Sequence, residues 1–294
     1  MRIGFFHSIM RPEEKLLLDE FEKRNADIEK IDVRKLFVSV DEGKAFISNT
    51  ETEYKEVNID FDLVYDRCLS HSKALSALKF FESNGIKCLN CFDVASTCSS
   101  KFFTSLALKK AGLSIPETSL GFEKIAAFGA MKKIGFPVVL KPDIGSWGRL
   151  LAKINDMDAA EALLEYKQTL GGFSHSMFYL QDFIEKDGRD IRSFVVGDEV
   201  ICAIYRNSEH WITNTARGGK AVNCPVNDEI RELSLNAARS IGYGIMAIDL
   251  FETRDGKYYV NEVNHSMEFR NTSVASGVNV AEKVVDFVMD YAKK

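Results

Sequence analysis

Three residues near the C-terminus carry the strongest chemical signal. Asp249 ends one apolar segment; Glu262 and Asn264 end the next. Glu262 and Asn264 are two apart, so on a strand they point to one face. Antiparallel pairing around Arg254-Asp255-Gly256 brings Asp249 beside them. Two carboxylates and an amide oxygen on one face form a hard oxygen site that suits Mg²⁺. A solvated acidic face is the plainer alternative. Against it, Ala247, Ile248, Leu250, Val260 and Val263 make both segments apolar. Carboxylates on such strands need a compensating partner.

A second signal is Lys141-Pro142-Asp143-Ile144-Gly145-Ser146-Trp147-Gly148-Arg149. The lysine ends an apolar strand and is a fixed cation. Gly145 and Gly148 let backbone N–H groups approach phosphate oxygens, although the loop has no Walker pattern and could be a plain turn. Lys101, at the start of a helix, is another candidate cation. Gln181-Asp182-Phe183-Ile184-Glu185 follows a strand, where a planar base can bond backbone groups and lie between Ile184 and Leu140. Arg192 and Arg217 are candidates to grip a phosphate or carboxylate with two parallel bonds. Each of these residues alone would read as structural or exposed.

These residues need strands to hold them. Residues 2–7, 31–33, 61–65 and 86–90 read as short strands, with helices over 12–28 and 72–84. Residues 37–60 are polar and acidic and predict a hairpin or loop. The first 95 residues therefore look like a small open α/β domain. Helices are expected over 99–111, 122–134, 158–166, 228–241 and 280–291. Strands are expected at 136–142 and 178–184, with hairpins around Gly197-Asp198 and Arg254-Asp255-Gly256.

Composition sets bounds. The chain has 294 residues, 46% hydrophobic and 28% charged, enough for about two globular domains. Its net charge of −5 argues against non-specific nucleic-acid binding. No 18-residue apolar run predicts a membrane span, and no secretory leader is recognisable, so a cytoplasmic protein with reduced cysteines is expected. Cys88 and Cys91 have zinc-ligand spacing, but a second close pair is missing, which favours ordinary core or turn cysteines.

The order and separation of these segments resemble the ATP-grasp ligases of the ribosomal-S6-modification branch. Nearly the whole chain is similar to the LysX-type α-aminoadipate–LysW ligases within it. The resemblance rests on Lys141-Pro142-x-x-Gly145-Ser146-Trp147-Gly148-Arg149, Gly188-Arg189-Asp190-Ile191-Arg192 and Asn214-Thr215-Ala216-Arg217-Gly218-Gly219. It rests further on Val260-Asn261-Glu262-Val263-Asn264-His265-Ser266-Met267-Glu268-Phe269. It implies an α/β (α+β) ATP-grasp fold: a pre-ATP-grasp domain over 1–95, a central subdomain over 96–182 and a C-terminal subdomain over 183–294. It implies ATP and Mg²⁺, a small acidic LysW-type carrier protein as partner, and a homo-oligomer.

The resemblance also implies roles. Lys101 and Lys141 would contact ATP phosphates, and the loop Gly145, Ser146, Trp147, Gly148 and Arg149 would close over them. Gln181, Asp182 and Ile184 would lie at the adenine, with Glu185 or Asp190 near the ribose. Asp249, Glu262 and Asn264 would hold Mg²⁺. Arg192, Asn214 and Arg217 would face the acyl phosphate and the amino acid. After Phe269, Asn271 and Gly277 resemble the aminoadipate type, whereas Ala275-Ser276 departs from it. Asn271, Thr272 and Gly277 are expected to wall the distal carboxylate of the amino acid; a loop leading into the last helix is the plainer alternative. A glutamate–LysW ligase, or an enzyme of dual specificity, stays open. So does a ligase that extends a glutamate tail on a ribosomal protein. A non-catalytic nucleotide-binding module would not need the three metal ligands.

Overall fold

The computed structural model describes residues 1–172, 177–215 and 218–294. The chain begins with β1 (Arg2–His7), α1 (Pro12–Lys23), β2 (Asp27–Asp32), β3 (Leu36–Ser39), β4 (Lys44–Ser48), β5 (Tyr54–Val57), β6 (Leu63–Asp66), α2 (His71–Ser83) and β7 (Cys88–Leu89). A four-stranded sheet in the order β2-β1-β6-β7 is parallel throughout. β1 and β6 are buried on both faces, as a parallel sheet requires. The 37–60 region is more ordered than its polar composition suggests. β3, β4 and β5 form an antiparallel three-stranded sheet. Its alternation is visible once register is known: Ala45 and Val57 face the core, whereas Phe37 stacks on Phe46 on the other face.

Next come α3 (Phe92–Ser99) and α4 (Lys101–Lys110). The helix expected over 99–111 is α4; α3, not expected from the sequence, precedes it, and the two part at Ser100. That residue is extended, and its side chain caps α4 by accepting from the Phe103 N–H. The middle of the chain contributes β8 (Thr118–Gly121), α5 (Lys124–Ile134), β9 (Val138–Lys141), β10 (Ala152–Ile154), α6 (Met157–Leu170) and β11 (Phe178–Asp182). These strands form an antiparallel sheet, β10-β9-β11-β8. The last stretch holds β12 (Arg189–Val196), β13 (Glu199–Asn207), β14 (Lys220–Asn223), α7 (Asp228–Ile241), β15 (Ile245–Glu252), β16 (Tyr258–Asn264), α8 (Arg270–Ser276) and α9 (Val280–Lys293). Its five-stranded sheet runs β14-β13-β12-β15-β16.

Two helices lock this sheet. Asn227 caps α7 and Asn279 caps α9, each through its side-chain oxygen. α9 buries Val280, Val284, Val285 and Val288 in one apolar cluster with Ile3, Phe5, Leu17 and Phe21 of the N-terminal region and Phe194 and Ile204 of the large sheet. The N-terminal region is thus joined to the C-terminal sheet through a shared core. The β8–β11 sheet keeps a separate core around Met131, Val138, Leu140 and Leu164. Among the described residues no helix is long and apolar enough to cross a membrane.

Candidate active site

One cavity of about 250 Å³ lies where the three regions meet. Its floor is the face of the large sheet carrying Asp249, Glu262 and Asn264. Asp249 and Glu262 are direct partners across β15 and β16, which places both carboxylates on one face. A bulge beside Leu250 adds a residue that period-two alternation cannot foresee. It brings Asn261 to the cavity as well. Among the described residues no group of three His, Cys, Asp or Glu side chains is placed to hold a metal. Here the third donor is an amide. The Asn264 Nδ2 is buried without a hydrogen-bond partner, so this side chain is not spent on the protein. Two carboxylates and an amide oxygen on one face fit a hard divalent cation.

Both carboxylates already carry cations. Asp249 accepts from Arg192 Nε at 2.6 Å and Nη2 at 2.7 Å, and Arg206 Nη2 lies 3.2 Å away. Burial pushes the Asp249 carboxyl up, but the two guanidinium groups outweigh it and hold it down at about 2. Glu262 sits 3.4 Å from Lys101 Nζ.

Lys141 ends β9 and is buried. Its ammonium donates to Gln181 Oε1 at 2.6 Å and to Asn261 Oδ1 at 2.9 Å. Burial lowers its pKa to about 7, against the opposing pull of Glu262. Lys101 donates to the Gly145 carbonyl at 2.7 Å, and Asp143 accepts from Ser100 Oγ and the Phe102 N–H. The 142–150 loop is therefore tied to the start of α4. Gly145, Ser146, Trp147, Gly148 and Arg149 all line the cavity. Trp147 Nε1 donates to Glu268 at 3.1 Å, and the Arg149 guanidinium stacks on its ring. Gly148 has φ +64°, and a Cβ there would come within 2.9 Å of Ile212.

At the far end, Asp182, Phe183 and Ile184 line the cavity, with Phe183 edge-on to Trp211. Val139, not Leu140, faces them. Leu140 points into the core of its own sheet, since Val139 and Lys141 share the opposite face. The side-chain oxygen of Gln181 is taken by Lys141 and the strand's backbone by its two neighbours, which leaves the backbone just past it, at Phe183 and Ile184, for a base. Glu185 is exposed, 3.6 Å from Arg254, and outside the cavity lining. Asp190 lines it, but its carboxylate is filled by Arg206 at 2.6 and 2.7 Å and by Thr213 Oγ1 at 2.5 Å.

Arg192 and Asn214 line the cavity; Arg217 lies outside the described residues. The 270–277 segment is a helix, α8, rather than a loop. Asn271 and Thr272 line a side pocket of about 50 Å³ together with Arg192, Arg206, Thr215 and Arg270. Gly277 lines neither space. It ends α8 in the left-handed region with φ +72°, and its N–H is spent on the Ser273 carbonyl. A free N–H at Gly277 is therefore not on offer to a ligand.

Several cavity residues were not singled out from the sequence. Arg206 was hidden by a bulge: counting back from the Gly197-Asp198 turn pairs Asp190 with Tyr205, and the register shift between Phe194 and Val195 brings Arg206 opposite it instead. Arg11 and His71, which come from the N-terminal region, carry no local signal. His265 is held neutral, its pKa pushed down to about 3 by burial.

Comparison with known proteins identifies the family. The family model of the RimK-like ATP-grasp domain matches residues 98–288, and that of the LysX preATP-grasp domain matches residues 3–97. An α-aminoadipate–LysW ligase, LysX, of Saccharolobus solfataricus is 37% identical over 81% of this chain and 87% of its own length. A glutamate–LysW ligase, ArgX, of Sulfurisphaera tokodaii is 29% identical over the whole of both chains. A RimK-domain ATP-grasp protein of Sphaerobacter thermophilus superposes with a TM-score of 0.78 at 26% identity, covering 98% of this chain and 99% of that one.

Proposed function

The chain belongs to the RimK-like ATP-grasp ligases, and we propose that it joins the α-amine of α-aminoadipate to the side-chain carboxyl of the C-terminal glutamate of a LysW-type carrier protein. As an ATP-grasp ligase it forms a C–N bond and releases ADP. The observation that carries the reading is one cavity that joins two lysines, two facing carboxylates and Arg192 beside a cationic side pocket. The higher identity to an aminoadipate ligase than to a glutamate ligase favours the amino acid.

In this reading an oxygen of the carrier carboxylate attacks the γ-phosphorus of ATP. The bond to the β-bridging oxygen breaks, and ADP leaves. The neutral amine then attacks the carbonyl carbon of the acyl phosphate. Phosphate departs and the amine nitrogen loses a proton. Lys101 and Lys141 balance charge on the phosphates. The backbone just past β11, at Phe183 and Ile184, takes the adenine. Arg192, with Asn214 and Arg217, holds carboxylate or acyl-phosphate oxygens. Asp249, Glu262 and Asn264 would hold Mg²⁺, which when bound draws charge from the transferring phosphoryl group. The loop over Gly145, Trp147 and Gly148 keeps water from the acyl phosphate.

The test is the intact mass of a LysW-type carrier after incubation with enzyme, ATP, Mg²⁺ and one amino acid. A gain of one aminoadipate less water, dependent on ATP, is expected. No adduct with any amino acid would remove the carrier from the reading. The full-length identity to ArgX keeps a second reading, glutamate or dual specificity. An equal adduct with glutamate would establish dual specificity.

A further inference from the structure

A row of four charges, cation, carboxylate, carboxylate, cation, runs across the floor of the cleft. Arg192 on β12 is the direct register partner of Asp249 on β15, and Asp249 is the partner of Glu262 on β16. Lys101 closes the row against Glu262. Each carboxylate that could hold the metal is thus already neutralised by a cation from the chain. Those same two cations, Arg192 and Lys101, are the ones the ligation needs for its anionic reactants. Arg192 gives both Nε and Nη2 to Asp249, so it cannot grip a second anion with the same two-bond face at the same time. Resting on the ligase reading, we infer that the metal–nucleotide complex releases Arg192 from Asp249 into the side pocket, so that an acidic substrate binds tightly only after it.

The geometry says which cation moves. Arg206 is fully buried and held on both nitrogens by Asp190, so it stays beside Asp249. Among the described residues Arg192 has only Asp249 as a side-chain acceptor, and it is 16% exposed. It stands on the boundary between the main cavity and the side pocket and lines both. A divalent cation beside Asp249 would repel two guanidinium groups, and the less buried one yields. Its destination is already prepared. The side pocket holds Arg206, Arg270, Asn271 and Thr272, with Glu13 and Glu268 at its edge. Glu13 accepts from the Arg270 backbone N–H and is thereby engaged. An added Arg192 makes the pocket a net cationic receptor of a size for one carboxylate group. In the metal-free state Arg192 is spent on Asp249, and the receptor is incomplete. The two sites are coupled through one side chain that can satisfy one of them at a time.

Full-length protein labelled with ¹⁵N reports the exchange directly. The Arg192 Nε–H resonance, identified by its loss in Arg192→Lys, should be protected from exchange in metal-free protein. Mg²⁺ with the non-hydrolysable analogue AMPPNP should shift it and speed its exchange. AMPPNP with a chelator should leave it in place. An unmoved resonance with Mg²⁺ and AMPPNP, or the same movement without metal, would overturn the inference. Calorimetry supplies the second arm: α-aminoadipate should bind about tenfold more tightly, or better, when Mg²⁺–AMPPNP is present. Asp249→Asn should give a comparable gain without any nucleotide, because it releases Arg192 by another route. Equal affinity in all states overturns the coupling. Where Asp249→Asn fails to fold, the wild-type comparison decides. Carrier ligation alongside a fixed Arg192 would defeat this inference alone; a mobile Arg192 with no ligation would defeat the proposed function and leave the exchange standing.

Discussion

The floor and the roof of the cleft are built on opposite principles. On the floor, strand register sets the charges. Asp190 opposes Arg206, and Arg192 opposes Asp249, which opposes Glu262. Backbone ladders hold these strand positions before any ligand arrives, so a side chain such as Arg192 can change partner while its strand stays in place. The 142–150 roof has no ladder. It depends on individual contacts with other elements: Ser100, Lys101 and Phe102 to Asp143, Lys101 to Gly145 and Trp147 to Glu268. Trp147, Gly148 and Leu150 all have positive φ. Non-glycine residues there store strain that surrounding contacts must offset. The difference separates two kinds of support: the floor's charged residues stand on a register-fixed sheet, and the roof is held by individual contacts.

The largest expected effect tests the floor as a structural unit. Arg206→Met removes the cation shared by Asp190 and Asp249 and leaves two buried carboxylates short of compensation. Breaking one side of such a buried pair costs about 3–5 kcal/mol. Urea unfolding should show a loss in that range. A loss below ~1 kcal/mol would mean that the sheet does not depend on its charges.

Glu262→Gln separates chemistry from stability on the same floor. Glu262 is partly exposed, and its contact with Lys101 is at 3.4 Å, so unfolding should change by less than ~1 kcal/mol. Turnover should fall by at least about a hundredfold, since a carboxylate proposed to hold the Mg²⁺ that balances the phosphoryl charge is lost. Near-normal turnover by the folded variant would remove Glu262 from the metal site.

Lys141 joins floor and roof, because its partners are Gln181 of the middle sheet and Asn261 of the large one. Lys141→Ala should weaken ATP binding by about 1.5–3 kcal/mol. Its pKa adds a pH signature. Burial lowers it to about 7, so in the empty site the proton leaves as pH rises through 7. Bound phosphates raise the pKa. ATP binding above pH 7 therefore takes up a proton, and affinity falls with pH at a limiting slope of about tenfold per unit. Below pH 7 it is flat with respect to this group. Calorimetry in buffers of different ionisation enthalpy measures the uptake. Lys141→Arg, which does not titrate, should abolish it. Uptake that persists in that variant would place the titrating group elsewhere.

The same contrast explains what the sequence made legible. Register-built features were readable, because alternation and turn position predict them. The β12–β13 and β15–β16 hairpins follow from Gly197-Asp198 and Arg254-Asp255-Gly256, and Glu262 and Asn264 share a face by their spacing, but Asp249 meets Glu262 only through the bulge beside Leu250. Features that depend on distant contacts were not. Arg11 reaches Glu268, 257 residues away, and nothing local to either residue signals it. Ser100 parts α3 from α4 through its own cap and Asp143. Gly277 was readable as a glycine with a purpose, but a helix stop and a substrate wall look alike until α8 is seen. The Asn261 bulge breaks the period on which strand reading relies.

The smallest expected effect tests the roof. Trp147→Phe keeps an aromatic face for Arg149 and deletes one N–H donor to Glu268. Glu268 retains Arg11 at 3.2 Å, so its charge is not stranded and the fold has little to lose. One such bond contributes about 0.5–1.5 kcal/mol. If that energy is spent on closure, it appears in how well the roof shields the acyl phosphate rather than in unfolding. The variant should unfold in urea like the parent. The ratio of ADP released to isopeptide formed should rise by about twofold to tenfold, as water reaches an intermediate meant for the amine. Glu268→Gln should raise it too, and the double variant should add less than the sum of the two, because both act through one bond. A loss of stability on the scale of Arg206→Met would place the roof among the fixed elements and collapse the contrast with the floor. An unchanged ratio at unchanged stability would show that the Trp147–Glu268 bond is not the closure contact, and would leave Lys101–Gly145 to hold the loop.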